Sequence, residues 1–267
     1  MSAVAKIIAG LAIAAGILVV GAAASGAAFV IYFNEVTDWR YGQDIRRNPS
    51  DAQAWYTRCV WRSVIGRLPE AAADCDESIR LRPGFVDAYL DRGMIRYRLG
   101  QSDLAIADHD HAVQMRPRDA RMYRARSSLH LRLEQWDRAI ADADKSSALA
   151  PRDYTMWNQR CWARALAGRL DAALADCNEA LRLRPNQENT LDSRALVYLK
   201  MGRLAQAIAD YDAAIAQRPR YASALYGRGI ARLQQGNAEG AVADMEAARR
   251  IDPSIEQAFV RYGVTEG

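Results

Sequence analysis

The chain has 267 residues, half of them apolar and a quarter charged, which predicts a mostly folded protein with length for one or two ordinary domains. Its formal net charge of +4 is dispersed along the chain. Nucleic-acid binding needs clustered basic residues, so that class is set aside. Positive charge is almost all arginine, with Lys6, Lys145 and Lys200 the only lysines, a bias that points to a high-GC bacterial genome.

The first predicted element is apolar. Residues 7–33 run for 27 positions without a charge. At ~1.5 Å rise per residue, a helix of that length exceeds the ~30 Å hydrocarbon core of a bilayer. A cleavable signal peptide is the rival reading, with Lys6 as its basic start and Ala22, Ala23 and Ala24 as a small-residue cleavage site. The run is about twice a normal signal core and continues to an aromatic edge at Tyr32 and Phe33, which favours an uncleaved anchor over residues 1–33. Residues 34–49 are polar and read as a linker or short capping helix.

Beyond them, prolines recur at Pro49, Pro83, Pro117, Pro151, Pro185, Pro219 and Pro253, always 34 residues apart, and only Pro69 stands outside the series. A fixed period of this size marks repeats too small to bury their own apolar faces. Six full units follow, 50–83, 84–117, 118–151, 152–185, 186–219 and 220–253, and each reads as helix, turn, helix. With the third residue after each proline as position 1, position 4 is Trp55, Tyr89, Tyr123, Trp157, Leu191 and Leu225. Position 15 is glycine in five units and Glu134 in the third, where a helix end needs positive φ. Position 20 is always alanine, from Ala71 to Ala241, which allows close helix approach. Residues 254–267 begin a seventh first helix and stop, so they are expected to cap the exposed end.

Over about 204 of the 267 residues this pattern resembles the tetratricopeptide repeat family. The resemblance implies an all-α, right-handed solenoid of antiparallel helix pairs with a concave groove. It also implies binding of a peptide or partner protein, not catalysis, with no cofactor and no small-molecule substrate. The sequence departs from the family at position 7, where leucine is usual and all six units carry arginine: Arg58, Arg92, Arg126, Arg160, Arg194 and Arg228. Position 23 is aspartate throughout: Asp74, Asp108, Asp142, Asp176, Asp210 and Asp244. These predict an ion-pair ladder in preference to solvated surface charge, and whether the pairs close within or between repeats is open. Partly buried pairs of this kind fix register more than they add stability.

The four cysteines fall on two equivalent positions. Cys59 and Cys161 hold position 8, Cys75 and Cys177 position 24, and each pair straddles its own turn. In the other units these positions combine Gly93 with His109, Ser127 with Ala143, Ala195 with Tyr211, and Gly229 with Met245, mostly small against large. Facing helices ~8–10 Å apart bring such positions within disulfide range, so two intra-repeat disulfides are expected over the alternative of small core cysteines. That chemistry belongs outside the cytoplasm and places the repeats in a periplasm-like space. The arginines after the span, Arg40, Arg46 and Arg47, point mildly to the opposite topology.

Catalytic and metal motifs are lacking. Asp108, His109, Asp110 and His111 alternate, but residues two apart on a helix face different ways, so His109 reads as a packed core histidine and no metal site is expected. In the family, positions 2, 5, 6, 9, 12 and 13 of the first helix line the groove. By that resemblance the partner-binding positions here include Tyr56, Val60, Met94, Tyr97, Arg121, Arg124 and Leu131. They continue with Asn158, Trp162, Leu196, Leu199, Tyr226, Ile230 and Leu233. The lysine and asparagine set with which some members clamp a terminal carboxylate is not matched. An open strip of this kind suits an apolar segment; a tightly wound superhelix would bury it.

Overall fold

The structure is a computed structural model that describes residues 26–265, with side chains from residue 37 onward. Among the described residues there are helices and no strands. In chain order they are α1 (Gly26–Arg47), α2 (Ala52–Val64), α3 (Leu68–Leu81), α4 (Val86–Arg98), α5 (Ser102–Met115), α6 (Ala120–Arg132) and α7 (Trp136–Leu149). They continue with α8 (Tyr154–Leu166), α9 (Leu170–Leu183), α10 (Glu188–Lys200), α11 (Leu204–Gln217), α12 (Ala222–Gln234), α13 (Ala238–Ile251) and α14 (Ile255–Arg261). The chain divides into two compact units, one ending at Ile95 and one beginning at Arg96.

The 34-residue period has a local cause at each boundary. Every second helix ends at a residue preceding a periodic proline, and these residues, Arg82, Arg116, Ala150, Arg184, Arg218 and Asp252, have φ between −142° and −130°. The proline ring excludes the helical region for the residue before it, so the helix stops there. The exceptional Pro69 lies at the start of α3, where its missing N–H would have no helical partner anyway. Each turn inside a pair is made by a left-handed residue at position 15: φ is 83° at Gly66 and 71° at Gly202, and Glu134 adopts 56°. Asp51, Asp119 and Asp153 cap first helices by accepting from the backbone N–H of Gln53, Arg121 and Thr155 at 2.8–3.0 Å.

Position 4 ties each first helix to its proline. Trp55 and Trp157 donate from Nε1 to the carbonyls of Pro49 and Pro151, and the Tyr123 hydroxyl donates to that of Pro117. The arginine at position 7 lies over the same ring, 4.9 Å from the Trp55 centroid for Arg58 and 4.5 Å from that of Trp157 for Arg160. Its fork then closes on aspartate within the repeat: Arg58 on Asp74, Arg126 on Asp142, Arg160 on Asp176, Arg194 on Asp210 and Arg228 on Asp244, at 2.6–2.9 Å. The remaining nitrogen reaches back to the preceding repeat, from Arg92 to Asp76, Arg126 to Asp110, Arg160 to Asp144, Arg194 to Asn178 and Arg228 to Asp212. The ladder therefore closes both within and between repeats. Asp108 accepts from Arg96 at 2.9 Å.

In the first unit α2 packs on α3, and a disulfide joins Cys59 to Cys75 with Cα atoms 5.4 Å apart. Helix α1 lies against α2: Asp38 accepts from Arg62 and Arg67, Ile45 is buried, and the Tyr41 and Trp61 rings meet edge to face. A linker or short cap expected over residues 34–49 is thus the second half of one continuous helix. Among the described residues no helix is long and apolar enough to cross a membrane. Residues 7–25 of the expected anchor lie outside the described residues, and residues 26–33 open α1.

In the second unit the pairs α6–α7, α8–α9, α10–α11 and α12–α13 stack in order. The alanines at position 20 are fully buried, as is Cys161, which is bonded to Cys177 across the α8–α9 turn with Cα atoms 5.3 Å apart. The small-against-large pairing is seen directly at Gly229. A Cβ on Gly229 would meet Met245 Cγ at 2.8 Å, and Ala195 and Tyr211 are both fully buried. His109 is buried with Nδ1 3.0 Å from the Ala105 carbonyl, and burial holds its pKa below the ordinary histidine value. Among the described residues no group of three or more histidine, cysteine and acidic side chains is placed to hold a metal ion.

Candidate partner-binding groove

The first helices carry positions 2, 5, 9 and 12 on one face, so side chains from successive repeats meet there. In the first unit this face is largely self-satisfied. The Tyr56 hydroxyl donates to Asp91 at 2.6 Å and its ring packs on Phe85. Burial pushes the Asp91 carboxyl above the usual carboxylate range, the Tyr56 hydrogen bond notwithstanding. Val60 is exposed and Met94 is half-buried.

In the second unit the outcome differs along the face. Arg121 and Arg124 are exposed, and Arg121 folds onto its own cap residue Asp119. Leu131 and Leu233 are half-buried. Leu196, Leu199, Tyr226 and Ile230 are at most 4% exposed and do not line an open groove. The cause is α14, which buries Ile255 and Phe259 in the same core and packs the Phe259 ring, tilted, against Tyr226 with centroids 5.0 Å apart. Past its end the Tyr262 ring meets Trp162 edge to face at 5.0 Å, and Val264 is buried as well. Lys200 Nζ fixes this tail by donating to the Tyr262 carbonyl at 2.8 Å and the Ala165 carbonyl at 2.9 Å; burial lowers its pKa. The closing segment is therefore an occupant of the groove's last third as well as a cap.

Two adjoining cavities stay open on this face. The larger, about 620 Å³, lies among Tyr97, Ser128, Leu131, Arg132, Glu134, Trp136, Gln159, Trp162, Leu166, Arg261 and Tyr262. Tyr97 donates to the Arg132 carbonyl at 3.3 Å, and Gln159 Nε2 to Ser128 Oγ at 3.1 Å. The smaller, about 340 Å³, is lined by Asn158, Gln159, Trp162, Asn189, Asp192, Ser193, Tyr221, Ser223 and Tyr262. Gln159, Trp162 and Tyr262 form the wall common to both.

Asp192 is the unusual group of the smaller cavity. It is 5% exposed, receives hydrogen bonds from Ser223 Oγ at 3.0 and 3.1 Å and Tyr221 Oη at 3.1 Å, and has no cationic nitrogen within 4 Å. Burial, partly offset by those hydroxyls and by the charge of Arg218, pushes its carboxyl up to about 6. Sequence reasoning placed Asn158, Trp162, Tyr97 and Leu131 at this site but missed Asp192, Gln159, Lys200 and Tyr262. Asp192 occupies position 5 like Asn158 and was legible by that register alone.

The family model for the tetratricopeptide repeat matches residues 90–153, 124–188 and 193–254, together more than half of the chain. No curated protein matches the sequence. Among solved structures, a tetratricopeptide repeat protein from Parabacteroides merdae superposes with a TM-score of 0.72 at 18% identity, covering 89% of this chain and 96% of that one. The APC/C hetero-tetramer Cut9–Hcn1 gives 0.68 at 17% identity over 85% of this chain, which spans only 45% of that chain. PilW, a type IV pilus biogenesis factor, gives 0.64 at 18% identity over 78% of this chain and 98% of the other. At these identities the likeness is one of fold.

Proposed function

Because the chain belongs to the tetratricopeptide repeat family, we propose that it is a non-catalytic scaffold that holds a segment of a partner protein on the inner face of its second unit. The observation that carries this is the pair of open cavities beside Trp162, on a face whose neighbouring stretch already holds the chain's own closing helix and tail. The position 7 arginines are engaged by aspartate and do not form a phosphate-binding surface. We further place the protein at a bacterial inner membrane, tethered by residues 7–33, with its repeats in the periplasm. The uncharged run and the two disulfides support that address. A role as assembly factor for an envelope complex follows from family analogy, and the shared fold with a pilus biogenesis factor agrees with it.

The test is affinity capture from detergent-solubilised membranes with wild type, Tyr97→Ala and Ser128→Arg. Partners lost in both variants are expected. Identical partners in all three would remove the larger cavity from the binding surface.

A further inference from the structure

We propose that the cavity at Asp192 is a subsite for a basic side chain, lysine or arginine, carried by the partner segment. The inference rests on the reading of this face as the partner-binding surface and adds the chemistry that would be recognised there. Every other aspartate buried in the two units, Asp74, Asp108, Asp142, Asp176, Asp210 and Asp244, is held by an arginine within 2.9 Å. Asp192 alone among these buried carboxylates has only hydroxyl donors, Ser223 and Tyr221. A buried carboxylate with no cation in direct contact is unfavourable in a low-dielectric setting; Arg218 acts on Asp192 only through space, and the carboxylate lies at the edge of a cavity.

Asn158 Oδ1, on another wall of the same cavity, is buried and has no hydrogen-bond partner. One cavity is thus lined by an unpartnered acceptor, Asn158 Oδ1, and by a carboxylate with no cation in contact, and an ammonium or guanidinium group supplies several N–H donors with a positive charge. The rings of Trp162 and Tyr262 line the approach and suit both the aliphatic stem and the cationic head of such a side chain. The adjoining larger cavity carries Arg132 and Arg261 against the single carboxylate of Glu134, so its balance of charge favours a basic group less than the Asp192 cavity does.

An array of randomised twelve-residue peptides, probed with the full chain in detergent, tests this. Wild type is expected to select lysine or arginine at one position, with enrichment falling about tenfold or more in Asp192→Asn while preferences at the other positions persist. A melt of Asp192→Asn at or above that of wild type shows that the variant is folded. Selected peptides without a basic preference, or with the same preference in folded Asp192→Asn, overturn the subsite and leave the groove reading standing. An array with no selection at all overturns the groove reading and the subsite with it.

Discussion

Glu134 holds φ 56° at the turn where the other five repeats use glycine, and its side chain makes no cap that would require it. A β-carbon in the left-handed region costs roughly 1–2 kcal/mol, partly offset by the greater freedom glycine has when unfolded. Glu134→Gly is therefore expected to raise stability by about 0.5–1 kcal/mol, read as a higher urea midpoint at unchanged slope. Asp192 makes a second residue-scale prediction with a definite sign. Its folded pKa of about 6 lies above the ordinary aspartate value of 3.8, so its favourable contribution is full below the unfolded value and is lost as pH rises through about 6. At pH 7.5 the native state carries a charge it would stabilise better as an amide. Asp192→Asn should be more stable than wild type by roughly 2–3 kcal/mol at pH 7.5, and the gap should close below pH 4. Equal stability of the two proteins at pH 7.5 would contradict the account of Asp192 as an unneutralised buried carboxylate.

Helices in this chain are bounded by local chemistry, which is why so much of the fold could be read in advance. The pre-proline residues, the left-handed turn residues and the buried alanines each act within a few positions, and the cysteines could be paired because positions 8 and 24 face each other across one turn. The ladder was legible as arginine and aspartate at fixed positions, but not its double closure, since the reach of Arg160 to both Asp176 and Asp144 depends on how repeats stack. Helix α14 was legible as a seventh first helix, while its tail was not. Tyr262 meets Lys200 from 62 residues away, and no periodic signal encodes that contact. Removing residues 254–267 should uncover Leu196, Leu199, Tyr226 and Ile230. The expected result is strong binding of a hydrophobic dye and a loss of several kcal/mol on denaturant unfolding, given roughly 1.5–3 kcal/mol for each large side chain exposed. Unchanged dye binding would mean that the tail does not cover the groove.

At the scale of the whole molecule, a membrane address would be coupled to the architecture through α1. If residues 7–33 span a bilayer, the described end of that run, residues 26–33, belongs to the same helix whose Asp38 is gripped by Arg62 and Arg67 and whose Ile45 is buried, so the first unit would be fastened close to the membrane surface. The basic residues at the end of α1, Arg46 and Arg47, would then lie on the same side as the repeats, which the charge bias of membrane insertion mildly disfavours. The disulfides argue the other way, and more strongly, because each closes a loop of 16 residues and contributes roughly 3 kcal/mol only where thiols are oxidised. Full-length protein is thus expected in the membrane fraction with its N-terminal residues intact. Alkylation of protein unfolded directly from cells should block no thiol before reduction and four after it, by mass spectrometry. Four thiols blocked before reduction would place the repeats on the reducing side, in agreement with Arg46 and Arg47, and a mature N-terminus near Ser25 would replace the tether with a released soluble form.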